Sequence, residues 1–249
     1  MTAATAADIE KLAAVGRIVG NALRAMGAAL RPGLTTGELD AMGRSLLERE
    51  GARPAPELCY GFPGATCISV GHEVAHGVPG ARVLAAGDLV NIDVSAEKDG
   101  YFADTGGSFP VGGVPAAVLA LCRDGRRAMW EGIRAVRVGA PYAAIGRRVE
   151  GFARRNGYTL IRNLASHGVG RALHEEPGSI ATWEVGDDRR VIREGDVFTI
   201  EPFLSRGAHW AEMRPDGWTL VSEPAAPTVQ YEHTLVATRR GPLVLTRPH

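Results

Sequence analysis

A chain of 249 residues with 45% apolar and 22% charged side chains has enough material to bury one large core or two small ones, which excludes a disordered chain. Its 28 basic and 28 acidic residues leave no overall positive field to draw it to nucleic acid or an anionic membrane. No apolar run is long enough to span a bilayer, and Asp8 and Glu10 stand where a secretory signal needs a basic start and an apolar core, so we expect a soluble cytoplasmic protein.

Apolar spacing predicts a first helix from about Ala6 to Leu30, with Ile9, Leu12, Val19, Leu23 and Met26 on one face, stopping before Pro32-Gly33. A second opens at Thr35, where Glu38 completes a capping box, and closes at Gly51. A third runs from about Pro115 to Val136, and a fourth starts with Pro141 at its first position and ends at Asn156-Gly157. Cys59, Cys67 and Cys122 are odd in number and lack metal or redox spacing, which fits a reducing compartment.

The helix pairs repeat. An offset of 106 sets Arg31 over Arg137, Gly33 over Gly139, Leu39 over Ile145 and Gly51 over Gly157. Each pair leads to an H-x-x-P segment (76–79 and 174–177) and then a strand-like run, Gly87 to Asp93 and Gly195 to Glu201. We therefore expect one domain over 1–249 with two similar halves, about 5–110 and 111–240, and a crossover between Gly106 and Pro115.

Asp93 and Glu201 each sit in an apolar strand-like run, where an ionised carboxylate is costly without a cation or several donors. Asp99-Gly100 predicts a two-residue hairpin that pairs Lys98 with Tyr101 and Ser95 with Asp104, placing Asp104 diagonal to Asp93 on one face. Glu232 and His167 occupy comparable settings in the second half. Four carboxylates and one imidazole suit a pair of divalent ions, Mn, Fe(II), Co or Zn, better than a thiolate zinc site, and such ions activate water for hydrolysis. His233 should face away from Glu232, and His72, His209 and His249 read as loop or terminal residues.

The stretches CISVGHEVAHGVP (67–79), GDLVNIDVSAEKDGYFADTGGSF (87–109), SHGVGRALHEEP (166–177), FTIEPF (198–203), DGWTL (216–220) and VQYEHT (229–234) resemble the type I methionine aminopeptidases in their short bacterial form, within the M24 metallopeptidases. The resemblance covers nearly the whole chain. It implies a pita-bread α/β fold, with an internal pseudo-twofold and helices outside a curved antiparallel sheet. It also implies two metal ions on Asp93, Asp104, His167, Glu201 and Glu232, with Asp104 and Glu232 bridging.

By the same resemblance, His76 contacts the scissile amide, His174 stabilises the oxyanion and Glu201 handles the proton. A metal-bridging hydroxide attacks the scissile carbonyl, and the substrate's free α-amino group binds a metal. The implied methionine pocket involves Cys59, Tyr60, Phe62, Cys67 and Trp218, and the implied substrates are nascent polypeptides or peptides with a small second residue. Two departures stand out: Leu173 replaces a phenylalanine common before His174, and the 59–62 loop is short and lacks a histidine often found there. The alternatives weighed are an Xaa-Pro peptidase of the same fold and a peptidase-like binding protein. A monomer is expected, and a transient ribosome contact and the metal used in the cell are left open.

Overall fold

In the computed structural model, which describes residues 3–248, α1 (Ala6–Ala29) starts at a capping box. The Thr5 hydroxyl accepts from the Asp8 N–H, and the Asp8 carboxylate accepts from the Thr5 N–H. The box expected at Thr35 and Glu38 opens α2 (Thr36–Arg49). The chain then forms β1 (Arg53–Pro54), α3 (Ala55–Tyr60), β2 (Cys67–Val70), β3 (Glu73–Ala75) and the long hairpin β4 (Leu89–Lys98) and β5 (Tyr101–Pro110). A second pair of helices, α4 (Ala116–Ala135) and α5 (Ala143–Arg155), leads into β6 (Thr159–Leu160), β7 (Ser166–Gly168), β8 (Glu175–Ile180), β9 (Val197–Ile200) and β10 (Phe203–Ser205). Strands β11 (Trp210–Met213), β12 (Leu220–Glu223), β13 (Thr228–Gln230), β14 (His233–Thr238) and β15 (Gly241–Val244) follow.

The strand pairings are antiparallel: β4 carries β1, β2 and β5, and a five-stranded sheet runs β15-β14-β9-β7-β8. Each large sheet is covered by one helix pair. Leu12, Val19 and Met26 of α1 and Leu39 and Leu47 of α2 pack on Ile92 and Val94, while Leu121, Ile133, Ile145 and Val149 of α4 and α5 pack on Phe198, Ile200 and Leu235. Burial of each such side chain contributes about 1.5–3 kcal/mol, so the helices are held by their apolar stripes more than by intrinsic propensity.

Matching hydrogen bonds mark the internal repeat. Gly33 N–H donates to Leu84 O (2.8 Å) and Gly139 N–H to Ile192 O (2.9 Å); Gly87 N–H donates to Val111 O and Gly195 N–H to Ala237 O, both at 2.8 Å. Gly33 and Gly139 both have φ of +88°, a left-handed turn that glycine adopts without a steric penalty. The sheets meet where β5 faces the start of β14. There Thr234 Oγ1 donates to Asp104 O (2.7 Å), and Glu232 N–H donates to Gly106 O (3.0 Å).

Three expectations are corrected. Pro141 lies outside the fourth helix, in an isolated bridge to Val191 that answers the bridge between Thr35 and Val83, and α5 begins two residues later. Gly106 and Gly107 belong to β5, so the crossover is confined to the residues after Pro110; a Cβ at Gly106 would collide with the Gln230 side-chain amide. Cys59 and Tyr60, read as loop, form the last turn of α3, which Gly61 ends in the left-handed conformation (φ +67°). No helix among the described residues is long and apolar enough to cross a membrane. His249 lies outside the described residues.

Candidate active site

The hairpin register puts Lys98 opposite Tyr101, Ser95 opposite Asp104 and Asp93 opposite Gly106, as the Asp99-Gly100 turn predicts. Asp93 and Asp104 therefore share a face, and Asp104 lies close enough to raise the proton affinity of Asp93. His167 comes from β7, Glu201 follows β9, and Glu232 precedes β14. His167 Nε2 lies 3.7 Å from Asp104 Oδ2 and 3.4 Å from Glu201 Oε1. Single ligand atoms of Asp104, His167 and Glu232 all fall within 4.8 Å of one another.

The electrostatics of this cluster call for a cation. Burial first, then the neighbouring Asp104, holds the Asp93, Glu201 and Glu232 carboxyls well above their ordinary range. Burial also raises Asp104 and lowers His167. Among the described residues no lysine or arginine pairs with these acids, and Asp104 Oδ1 and Glu232 Oε1 are buried without a hydrogen-bond partner. Orphaned carboxylate oxygens aimed together are expensive unless an ion accepts them. Four carboxylates and one imidazole fit divalent metal ions of the Mn, Fe(II), Co and Zn type.

A pattern not singled out from the sequence orients these acids. A polar residue stands two positions before each of three acids, on the same strand face: Asn91 before Asp93, Thr199 before Glu201 and Gln230 before Glu232. Thr199 Oγ1 donates to Glu201 Oε1 (2.8 Å), and Gln230 Nε2 donates to Glu232 Oε2 (3.0 Å). Asn91 Nδ2 in turn donates to Gln230 Oε1 (2.8 Å), which fixes which way the buried amide points. Polar alternation at i and i+2 was the available signal.

Two histidines flank the acids. His76 has φ of +52°, a strained conformation for a residue with a Cβ. It is held because Gly77 lies against β2: Ile68 N–H donates to Gly77 O (2.9 Å), and Gly77 N–H donates to Ser69 Oγ (3.0 Å). The His174 ring lies 4.0 Å from the His167 ring, centroid to centroid, and its Nδ1 is 2.6 Å from the Tyr60 hydroxyl. Both residues are exposed, yet their enclosed surroundings lower the proton affinity of His76 and His174 and favour the neutral rings.

A cavity of about 390 Å³ runs from the acids to an apolar wall that includes Phe62, Cys67, Phe203 and Trp218. Phe62 and Trp218 meet edge to face at 5.2 Å. Tyr60 and Leu173 also line this space. Cys59 is not among the residues that line it: it is exposed, and burial raises its thiol. His233 turns away from the acids, its Nδ1 2.8 Å from Thr246 Oγ1.

The chain resembles known metallopeptidases over most of its length. The chain matches metallopeptidase family M24 over residues 10–239. It is 41% identical over 241 residues to methionine aminopeptidase 2 of Bacillus subtilis, covering 96% of this chain and 97% of the relative. Among solved structures, methionine aminopeptidase from Rickettsia prowazekii superposes with a TM-score of 0.94 at 32% identity, covering 99% of this chain and 100% of that one. The Thermotoga maritima enzyme of that name superposes with a TM-score of 0.95 at 30% identity, with the same coverage. These matches, together with the buried oxygen-rich cluster, place the chain in metallopeptidase family M24.

Proposed function

We infer that this chain is a metal-dependent aminopeptidase that removes the N-terminal methionine from proteins and peptides. The observation that carries the reading is the convergence of Asp93, Asp104, His167, Glu201 and Glu232 at one end of a cavity whose other end is apolar and aromatic. These five residues would hold two divalent ions, and Asp104 and Glu232 each offer a buried oxygen with no hydrogen-bond partner. Bound there, the ions supply Lewis acidity and lower the pKa of water.

The remaining chemistry falls to the chain's own side chains. Glu201, held by the Thr199 hydroxyl, takes and returns the proton that hydrolysis moves. His174 donates to the oxygen of the scissile carbonyl as negative charge develops, and His76 contacts the scissile amide. Phe62, Cys67 and Trp218 receive the methionine side chain, whose thioether gains from aromatic and sulfur contacts. Preference for a small second residue belongs to the same proposal, as does a single catalytic unit made of two halves, about 5–110 and 111–240. Action in the cytoplasm is supported by the free cysteines, and a monomer with a transient ribosome contact belongs to the same proposal.

The test is to strip the purified protein of metal, restore Mn, Fe(II), Co or Zn singly without oxygen, and measure methionine released from Met-Ala-Ser, Met-Lys-Ser and an Xaa-Pro control. Metal-dependent release from Met-Ala-Ser is expected. Two ions bound with no release under any metal would overturn the reading.

A further inference from the structure

The Tyr60 hydroxyl has one polar contact with a site residue, and it is with the ring of His174. Its 2.6 Å separation from Nδ1 is shorter than the usual range for an N–H donor to oxygen and falls where an O–H donor belongs. A neutral imidazole carries a single N–H, so a hydroxyl donating to Nδ1 leaves the proton on Nε2, the nitrogen without a partner among the described residues.

Both partners are held from behind. Tyr60 closes α3 against the left-handed Gly61, and α3 is tied to α2 by Arg44 Nη1 and Glu57 Oε2 at 2.8 Å. On the other side, the segment leading to His174 is anchored by Arg171, whose guanidinium stacks 3.7 Å over the Tyr101 ring and donates to the Tyr101 hydroxyl at 2.6 Å.

We propose that Tyr60 is a positioning residue that donates its hydroxyl proton to Nδ1 of His174 and so presents the Nε2–H of that ring to the carbonyl oxygen of the substrate. This rests on the reading of His174 as the oxyanion donor, and it separates the hydroxyl's role from that of the Tyr60 ring, which lines the cavity. Without the hydroxyl, the ring is free to place its proton on Nδ1, and Nε2 then turns a lone pair toward the developing negative charge.

The experiment compares wild type with Tyr60→Phe, both loaded with zinc, which is diamagnetic, by ¹⁵N spectroscopy of labelled histidine and by kcat and KM on Met-Ala-Ser. In wild type, His174 Nδ1 is expected at the shift of an unprotonated acceptor and Nε2 at that of a protonated nitrogen. In Tyr60→Phe the two shifts move toward each other and kcat falls about three- to tenfold, the loss of one ordinary hydrogen bond, with KM unchanged. A protonated Nδ1 in wild type, or a variant with unaltered shifts and kcat, overturns the proposal, as does a rise in KM alone. His174→Ala is run in parallel: full kcat in that variant defeats the reading of His174, while the nitrogen shifts still report on the Tyr60 hydrogen bond independently.

Discussion

The Gln230 side-chain amide donates to Glu232 Oε2 at 3.0 Å and leaves Glu232 Oε1 buried with no partner. Because Asn91 donates to the amide oxygen from the other side, Gln230 cannot flip without breaking both contacts. Gly106 is part of the same arrangement, since any Cβ there would strike the amide. Gln230→Leu and Gly106→Ala are each expected to lower metal affinity by about 10- to 100-fold, the usual cost of losing a group that orients a ligand. Titration calorimetry on chelator-stripped protein measures this, and unchanged affinity in both variants would show that Glu232 is held by something else.

Ligands and transition-state groups should separate cleanly in mutants. Asp93→Asn and Glu232→Gln are expected to lose bound metal and turnover together. His174→Ala is expected to keep its metal while kcat falls by about 10²- to 10³-fold, equivalent to about 2.7–4 kcal/mol for one oxyanion donor. Metal content by atomic absorption beside kcat decides between them. An active, metal-free Asp93→Asn protein would sink the metal-site assignment.

Much of this site can be read from local rules, and what cannot depends on tertiary contacts. The Asp99-Gly100 turn sets the register that joins Asp93 to Asp104, because two-residue hairpins have few alternatives. Thr35 and Glu38 mark a helix start because both capping partners lie within one turn. By contrast, α3 has six residues, too few for an apolar period to emerge, so Cys59 and Tyr60 read as loop. Gly106 and Gly107 look like a break in the strand until Gln230, more than a hundred residues away, is seen lying against Gly106. The left-handed backbone of His76 is likewise imposed by Gly77 packing on Ile68, a contact no local pattern announces.

The cavity wall gives a test of specificity with an internal control. Trp218 stands edge to face with Phe62 and lines the cavity, so Trp218→Ala should raise KM for methionyl substrates and admit bulkier first residues. Cys59 is exposed and does not line that space, so Cys59→Ser should leave KM and kcat unchanged. Steady-state kinetics on a panel of tripeptides varied at the first residue reads both effects. A shift in first-residue preference for Cys59→Ser would place its thiol in the pocket after all.

Acid stability should report on Asp8. Its carboxylate accepts from the Tyr101 hydroxyl at 2.7 Å and from Thr5, with Arg171 nearby, and these contacts hold it down at about 2. A carboxyl whose proton affinity is lower in the folded chain favours folding only while it is ionised. Its contribution is therefore complete above about pH 4, where the unfolded carboxyl is also charged, and fades as the pH falls toward about 2. Asp8→Asn keeps the shape and removes the charge, so its Tm should lie below that of wild type at neutral pH, with the gap closing through that acid window. Melts are run with chelator present in both proteins, so that loss of metal ligation at low pH does not enter. A gap that stays constant down to about pH 2.5 would mean that the second acceptor oxygen, which Asn lacks, and not the charge, ties α1 to the β4–β5 hairpin.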